Sequence, residues 1–160
     1  VVPYLLIGKR RGSSTLSQQL AKNLFRMRKD EMQGALGNVV VDKTKEWLTA
    51  IRLERSYTKD EILTMYLNTV DFGSRAFGIE SAARTFFQTT AAKLTVPQAA
   101  LLVGMVNNPY YYSPVRKPKR ALEKRNFVLS KMAEHGHITE TQRIKLAAEP
   151  LGLKFRPENR

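Results

Sequence analysis

Apolar residues recur along most of the chain every three or four positions, with polar residues between them. This spacing brings the apolar side chains to one side of a helix, whereas a half-buried strand would require strict alternation. The sequence therefore predicts a series of helices with little strand. The predicted helices span residues 14–25, 43–56, 58–68, 79–87, 95–105, 118–134 and 139–149.

Three of these helices begin with the same local signal, a threonine followed three positions later by glutamate or glutamine. In such a capping box, each side chain pairs with the backbone N–H of the other residue and so satisfies N–H groups at the start of the helix. The signal therefore fixes three helix starts. The pairs are Thr58 with Glu61, Thr95 with Gln98, and Thr139 with Gln142.

The segments between the helices differ in composition. Residues 26–42 contain two glycines and a mixed run of charges, which predicts a mobile loop with at most one helical turn, and with residues 39–41 as a short extended segment. The helix at 95–105 is almost entirely apolar, so we expect it to be central. Residues 150–160 contain Gly152 and Pro157 and are typical of a linker.

The first predicted helix carries two stripes at four-residue spacing. We expect the apolar stripe to pack in the core. The polar stripe is either a solvated helix face or the wall of a ligand groove. In a groove, backbone N–H groups near Gly12 would meet an anion at the helix N-terminus, and Lys22 would hold the other side of a phosphate. The apolar stripe is Leu16, Leu20 and Leu24, and the polar stripe is Ser14, Gln18 and Lys22.

The net charge of the chain limits the classes of molecule that it is expected to bind. The 160 residues carry a formal net charge of +13, which indicates an anionic partner such as nucleic acid, an acidic membrane surface or a phosphorylated substrate. The basic residues are spread along the chain rather than gathered on one helix, and no recognition helix or RNA signature is present, so nucleic acid is not expected. The absence of cysteine excludes disulfides and thiolate metal sites.

Glu46 is the acid most open to a role in chemistry. In a helix, Ala50 and Leu53 lie within about 40° of it, so its carboxylate sits at the edge of an apolar face, where a charge is costly unless it is paired or used. It is either half of an ion pair with Lys43, Lys45 or a distant arginine, or an acid of a functional site.

Two histidines, His135 and His137, bracket Gly136 between predicted helices. With no acidic cluster beside them, they favour a helix-ending turn over a metal site.

A family resemblance comes from residues 12–19, Gly-Ser-Ser-Thr-Leu-Ser-Gln-Gln. They resemble the motif Gly-(Gly or Ala)-Ser-Thr-(Ile or Leu)-(Thr or Ser)-Gln-Gln of the peptidoglycan glycosyltransferases, glycosyltransferase family 51. These are the lysozyme-like polymerase domains of class A penicillin-binding proteins and their monofunctional relatives. Ser13 stands where the family usually has Gly or Ala. The resemblance extends over about residues 8–150, through similar motifs at 42–50, 59–68, 72–83 and 99–114.

Two further positions depart from the family pattern. Asp42 stands where arginine is usual, and Arg75 replaces the middle glycine of the motif at 72–83. Taken alone, the glycines at 73 and 78 do not indicate a dinucleotide site, because no strand precedes them.

The resemblance implies a mainly α, lysozyme-like glycosyltransferase domain over residues 1–150, followed at 151–160 by a linker or the start of another domain. The family's general-base glutamate, in a Glu-Asp pair upstream of the Gln-Gln motif, has no counterpart here. No apolar run approaches the roughly 20 residues of a membrane span, and the chain opens within a hydrophobic stretch. We therefore expect a domain truncated at its N-terminus and inactive by itself, or an inactive homologue.

The implied reaction joins lipid II to a growing glycan strand with release of lipid pyrophosphate. Glu46 matches the family's second essential glutamate and is the predicted catalytic residue. The predicted cofactor is at most a divalent cation, Mg²⁺ or Mn²⁺, held with the pyrophosphate. The predicted substrate-binding residues are Ser14, Thr15, Gln18, Gln19, Lys22, Arg28, Lys43, Lys45 and Asn68.

The implied partners are lipid II, the growing glycan, an anionic membrane surface and a transpeptidase domain in the parent chain. The implied location is the extracytoplasmic face of the inner membrane in the bacterial envelope, with the anchor outside this chain. Two other functions stay open: a lysozyme-like domain that cleaves glycan, which would need a catalytic acid in a cleft, and a basic nucleic-acid-binding module.

Overall fold

The structure, a computed structural model, describes residues 15–29 and 39–157. Within them it is helical, and the only strand-like feature is one antiparallel bridge between Asp71 and Phe77. The mainly α prediction is confirmed for this part of the chain. The helices are α1 (Leu16–Lys29), α2 (Val39–Ser56), α3 (Lys59–Thr69), α4 (Ile79–Phe87), α5 (Val96–Met105), α6 (Pro118–Glu134) and α7 (Glu140–Ala148), with a 3₁₀ turn at Ala91–Lys93.

Two compact units divide the chain, Val1–Thr69 and Val70–Arg160. In the first unit, α1 packs against both α2 and α3. Each of the three helices contributes buried apolar residues, because each presents them at helical spacing on one side. These residues are Leu20 and Ala21 of α1, Ala50 and Leu53 of α2, and Ile62 and Tyr66 of α3.

The predicted loop at residues 26–42 is wrong at both of its ends. Residues 26–29 continue α1, and residues 39–42 form the first turn of α2, so the predicted extended segment at 39–41 is helical. Valine has only a modest preference against helix, which tertiary context readily overrides. Residues 30–38 lie outside the described part of the chain.

In the second unit, α5 contacts α4, α6 and α7. Leu101, Leu102 and Met105 of α5 are at most 1% exposed, which confirms the predicted central helix. Gly104 faces α6 so closely that a Cβ atom there would lie 3.0 Å from Lys124 Cγ. A glycine at this position therefore lets the two helices approach each other.

Residues 70–78 form a tight hairpin. Ala76 N–H donates to the Gly73 carbonyl at 2.9 Å, and Phe72 N–H to the Ala76 carbonyl at 2.9 Å. The central residues of the turn, Ser74 and Arg75, have φ of 53° and 65°. A left-handed backbone is least strained for glycine. Arg75, which replaces the glycine of the family motif, therefore occupies a position where glycine would be more favourable.

The three capping boxes expected from the sequence are present. At α3, Thr58 N–H donates to Glu61 at 2.7 Å and Glu61 N–H donates to Thr58 Oγ1 at 3.3 Å. The boxes at α5 and α7 pair Thr95 with Gln98 and Thr139 with Gln142. Local sequence therefore set these helix starts.

The segment after α7 lies against α4. Lys154 N–H donates to the Phe86 carbonyl at 2.9 Å, Arg156 N–H donates to the Thr85 carbonyl at 2.8 Å, and the rings of Phe155 and Phe86 lie 5.7 Å apart. Residues 154–156 are thus held by backbone hydrogen bonds to the second unit. The domain boundary at residue 150 stays a prediction.

Candidate functional site

A fourth capping box, which the sequence reasoning missed, starts α1. Gln18 N–H donates to Thr15 Oγ1 at 3.3 Å, and Thr15 N–H donates to Gln18 Oε1 at 3.2 Å. The Thr-x-x-Gln signal was readable from the sequence, as it was at the other boxes. Two of the predicted groove residues therefore position the first turn of α1, and the helix begins at Leu16 rather than at residue 14.

Gln19 connects α1 to α3. Its Oε1 accepts a hydrogen bond from the hydroxyl of Tyr66 at 3.0 Å. Tyr66 is only 5% exposed, and burial raises the pKa of its hydroxyl, which keeps it protonated as a donor at neutral pH. Asn68, two residues further along α3, is exposed. The Gln-Gln pair thus combines a capping residue with one that holds two helices in register.

The polar and apolar stripes of α1 only partly follow the expectation. Lys22 is exposed and Gln18 is half-buried. Leu20 is fully buried, whereas Leu16 is 47% and Leu24 is 37% exposed, so the prediction that all three leucines pack in the core is wrong. The buried face of α1 instead runs through residues 17, 20 and 21, because a four-residue step drifts around a helix with 3.6 residues per turn.

Glu46 lies in the middle of α2, half-buried, with the exposed Lys45 beside it. Ala50, one turn further on, is 3% exposed, and Leu53 is 9% exposed. The carboxylate therefore sits at the edge of the buried face, as the spacing indicated. Such a position holds a charged group near a low-dielectric surface while leaving it open to solvent.

Three of the predicted substrate-binding residues are not described at the level of side chains. Ser14 lies outside the described residues. The backbones of Arg28 and Lys43 belong to α1 and α2, and their side chains lie outside the described part. The residues that the structure does describe, Thr15, Gln18, Gln19, Lys22, Lys45, Glu46 and Asn68, all belong to the first unit.

The two histidines form a helix end. Gly136, with φ of 76°, follows α6, and His137 N–H donates to the Met132 carbonyl at 2.8 Å, which is the closing hydrogen bond of a Schellman turn. Both histidines are exposed. Across residues 15–29 and 39–157, no three histidine or acidic side chains gather as metal ligands would.

Aromatic and basic side chains gather in the second unit, which the sequence reasoning did not foresee. The loop before α6 and the first turn of α6 bring together Tyr110, Tyr111, Arg116, Lys117 and Arg120, which we call the tyrosine–cation surface. Arg120 Cζ lies 4.4 Å from the ring centre of Tyr111, and Arg116 Cζ lies 5.4 Å from that of Tyr110. The basic residues are therefore less evenly spread than the sequence suggested.

Comparison with known proteins identifies the family. The family described as Transglycosylase matches residues 5–133. The chain belongs to the transglycosylase family. The predicted peptidoglycan glycosyltransferase domain is thereby confirmed, and neither the glycan-cleaving nor the nucleic-acid-binding alternative is favoured.

Proteins similar in sequence to this chain include penicillin-binding proteins. The chain is 41% identical over 143 residues to penicillin-binding protein 1A of Aquifex aeolicus, covering 89% of this chain and 19% of that protein. It is 45% identical over 132 residues to penicillin-binding protein 1A/1B of Bacillus subtilis, covering 82% of this chain and 14% of that protein. The chain thus spans less than one fifth of the length of these relatives.

A solved structure supports the fold. The crystal structure of penicillin-binding protein 1A from Haemophilus influenzae matches 62% of this chain and 15% of its own chain, with a TM-score of 0.58 and 33% identity. The predicted lysozyme-like class is confirmed by this likeness. Among the described residues, no helix has the length and apolar character needed to cross a membrane.

Proposed function

We propose that this transglycosylase domain polymerises lipid II at the outer face of the bacterial inner membrane, with the growing glycan as the second substrate. The observation that carries this proposal is the make-up of the first unit. Its α1, packed on α2 and α3, presents Gln18 and Lys22 in the same unit as Glu46 of α2 and Asn68 of α3. Amide and ammonium groups can bind the hydroxyls and the negative charge of a sugar pyrophosphate, and a carboxylate can orient the cations that do so.

In the reaction, the 4-hydroxyl oxygen of the lipid II sugar attacks the anomeric carbon of the growing glycan. The bond between that carbon and the lipid pyrophosphate breaks, and the pyrophosphate leaves with the bonding electrons. The proton of the hydroxyl passes to a carboxylate base, a role that we do not assign to Glu46. Lys22 and Lys45, both exposed, offset the charge that develops on the leaving pyrophosphate.

Glu46 acts near the pyrophosphate in this proposal. Its half-buried position beside Lys45 suits a carboxylate that orients a cationic group or binds a divalent cation together with phosphate oxygens. Mg²⁺ is commonly held by one or two carboxylates plus substrate phosphates, so a single glutamate is sufficient on the protein side. Such a cation would supply charge stabilisation for the leaving group.

Ser14, Thr15, Gln19, Arg28 and Lys43 complete the proposed substrate-binding set. The hydrogen bonds of Thr15 and Gln19 within the first unit support a positioning role for the first turn of α1. We also propose the partners that accompany this activity: an anionic membrane surface, which suits the charge of +13, and a transpeptidase domain in the same protein.

The test replaces Glu46 by glutamine, which keeps the shape of the side chain and removes its charge. In the full-length parent protein, we expect Glu46→Gln to lower the rate of lipid II polymerisation by at least about 100-fold, with an unchanged circular dichroism spectrum. Glu54→Gln is the matched control, because Glu54 is exposed on the same helix. It should polymerise lipid II at the rate of the unmodified protein.

Polymerisation at the unmodified rate by a folded Glu46→Gln protein would show that Glu46 has no part in the reaction. Separate incubations with lipid II and with finished glycan test the reaction class, since a polymerase consumes lipid II and leaves glycan intact. Cleavage of glycan without consumption of lipid II would overturn the proposed function.

A further inference from the structure

The tyrosine–cation surface is exposed and strongly basic. Tyr110 is 66% exposed and Tyr111 is 42% exposed. Residues 110–124 contain five arginines and lysines but only one acid, Glu123. The side chains of Lys117 and Arg120 border an open hollow of about 360 Å³ next to Pro118. Charge complementarity therefore requires an anionic partner here.

The placement of these cations costs helix stability. Lys119 and Arg120 occupy the first turn of α6, which contains no acidic residue. The N-terminus of a helix carries a partial positive charge, so cations there are unfavourable and acids are favoured. The same arrangement strengthens the positive potential in front of the surface. A binding role explains why lysine and arginine occupy the first turn of α6, where they make the helix less stable.

The ring faces of the tyrosines are already occupied. Lys117 Nζ lies 5.3 Å from the ring centre of Tyr110 and 5.4 Å from that of Tyr111, whose face also holds Arg120. Bases of single-stranded nucleic acid bind by stacking on free aromatic faces, and here they would have to displace the cations. Tyrosine beside lysine and arginine is instead the composition that proteins place at the level of lipid headgroups.

We propose that the tyrosine–cation surface docks this domain on the anionic headgroups of a lipid bilayer. The cations contact headgroup phosphates, and the tyrosine rings enter the interfacial layer with their hydroxyls in the polar region. This inference rests on the proposed function, because a lipid-linked substrate lies in the same bilayer. It adds to that function a second contact with the membrane, made by residues of the second unit.

The experiment measures binding of the 160-residue chain to vesicles that contain no lipid-linked substrate, so that its outcome does not depend on the proposed activity. The vesicles are phosphatidylcholine alone, or phosphatidylcholine mixed with phosphatidylglycerol. The surface variant combines Arg116→Gln, Lys117→Gln and Arg120→Gln. The control variant removes the same charge from exposed lysines on other elements and combines Lys93→Gln, Lys145→Gln and Lys154→Gln.

We expect the unmodified chain to bind the phosphatidylglycerol vesicles and not those of phosphatidylcholine alone. The surface variant should lose at least about tenfold in affinity, because each adjoining cation strengthens binding several-fold. The control variant should lose less than about threefold, from net charge alone. Equal losses in the two variants, or no loss in the surface variant, would overturn the proposal.

A second measurement reports on the tyrosines without removing a cation. In a chain with Trp47→Phe, the substitution Tyr111→Trp supplies one fluorophore at the surface. Brominated lipid in the anionic vesicles should quench its emission, and absence of quenching in the vesicle-bound chain would contradict the proposal. So would a surface variant that loses binding to single-stranded DNA while its vesicle binding is unchanged, since that result assigns the surface to nucleic acid.

Discussion

The two compact units of the chain differ in whether a charged side chain is part of the core. In the first unit, the amide and charged groups of the glycosyltransferase motifs lie at the surface or half-buried, as with Gln18, Lys22 and Glu46. In the second unit, Arg125 is the largest of the fully buried side chains, with 1% exposure. Both units carry exposed polar groups, and the second unit also uses a charged group as part of its core.

Arg125 closes the end of α7. Its Nη1 donates to the carbonyls of Glu149 at 2.7 Å and Pro150 at 3.1 Å, and its Nη2 donates to the carbonyl of Ala147 at 2.9 Å. The last carbonyls of a helix have no partner within the helix, and a cation at that end is favourable. Burial lowers the pKa of this guanidinium, yet arginine stays charged throughout the working range of pH.

The two units also differ in how completely they bury large apolar side chains. The second unit buries Phe72, Phe86, Leu101, Leu102 and Leu129 almost completely. Among the described large apolar side chains of the first unit, Leu20 is as completely buried, whereas Leu53, Ile62 and Tyr66 are 9%, 6% and 5% exposed. Binding surfaces commonly belong to the less stable parts of a protein. We therefore expect the second unit to supply the greater share of stability and the first unit the chemistry.

The largest effect is expected at Arg125. Arg125→Ala removes the donor to three carbonyls at the end of α7 and leaves a cavity in the core, so the free energy of unfolding should fall by about 3–5 kcal/mol. Lys119→Ala, which removes a charge from an exposed position of the same helix, should change it by about 0.5 kcal/mol or less. Urea denaturation followed by circular dichroism measures both. A loss below about 1 kcal/mol for Arg125→Ala would contradict a core role for this residue.

A smaller effect is expected for the leucines of α1. Leu20→Ala deletes a side chain with no exposure and should cost about 2–5 kcal/mol. Leu24→Ala makes the same chemical change one turn away at a position 37% exposed, and it should cost less than about 1 kcal/mol. Thermal unfolding of the two variants compares them directly. Equal losses of unfolding free energy in the two variants would show that both leucines pack in the core, as the sequence predicted. That result would contradict the difference in packing between the two units.

The smallest effect on stability is expected at the capping boxes, which occur in both units. Thr15→Ala and Thr139→Ala each remove the side chain that caps a helix, and each should cost about 1 kcal/mol. Only Thr15→Ala should lower lipid II polymerisation, because Thr15 belongs to the proposed binding set. Thr15→Ser keeps the capping hydroxyl and should restore both properties. Equal activity loss in the two alanine variants would mean that stability, and not binding, explains the effect of Thr15→Ala.

Much of the fold could be predicted because its signals are local. The boundaries of α6 follow from Pro118 and from the glycine turn at Gly136, and the starts of α3, α5 and α7 follow from capping boxes. The candidate site was predicted less completely. The capping box of Thr15 and Gln18 was readable, but the hydrogen bond from Tyr66 to Gln19 joins residues 47 positions apart, and no local pattern indicates it.

The sequence by itself determined the helical periodicity, the starts of α3, α5, α6 and α7, and the family, because each depends on residues within a few positions of one another or on contiguous motifs. Only the tertiary structure decided which leucine of α1 is buried, that Arg125 closes α7, and that Tyr111 lies under Arg120. These outcomes depend on which helices pack together and on the surface that each neighbour covers. That information is distributed over remote parts of the chain, so burial and charge clustering emerge only when the helices meet.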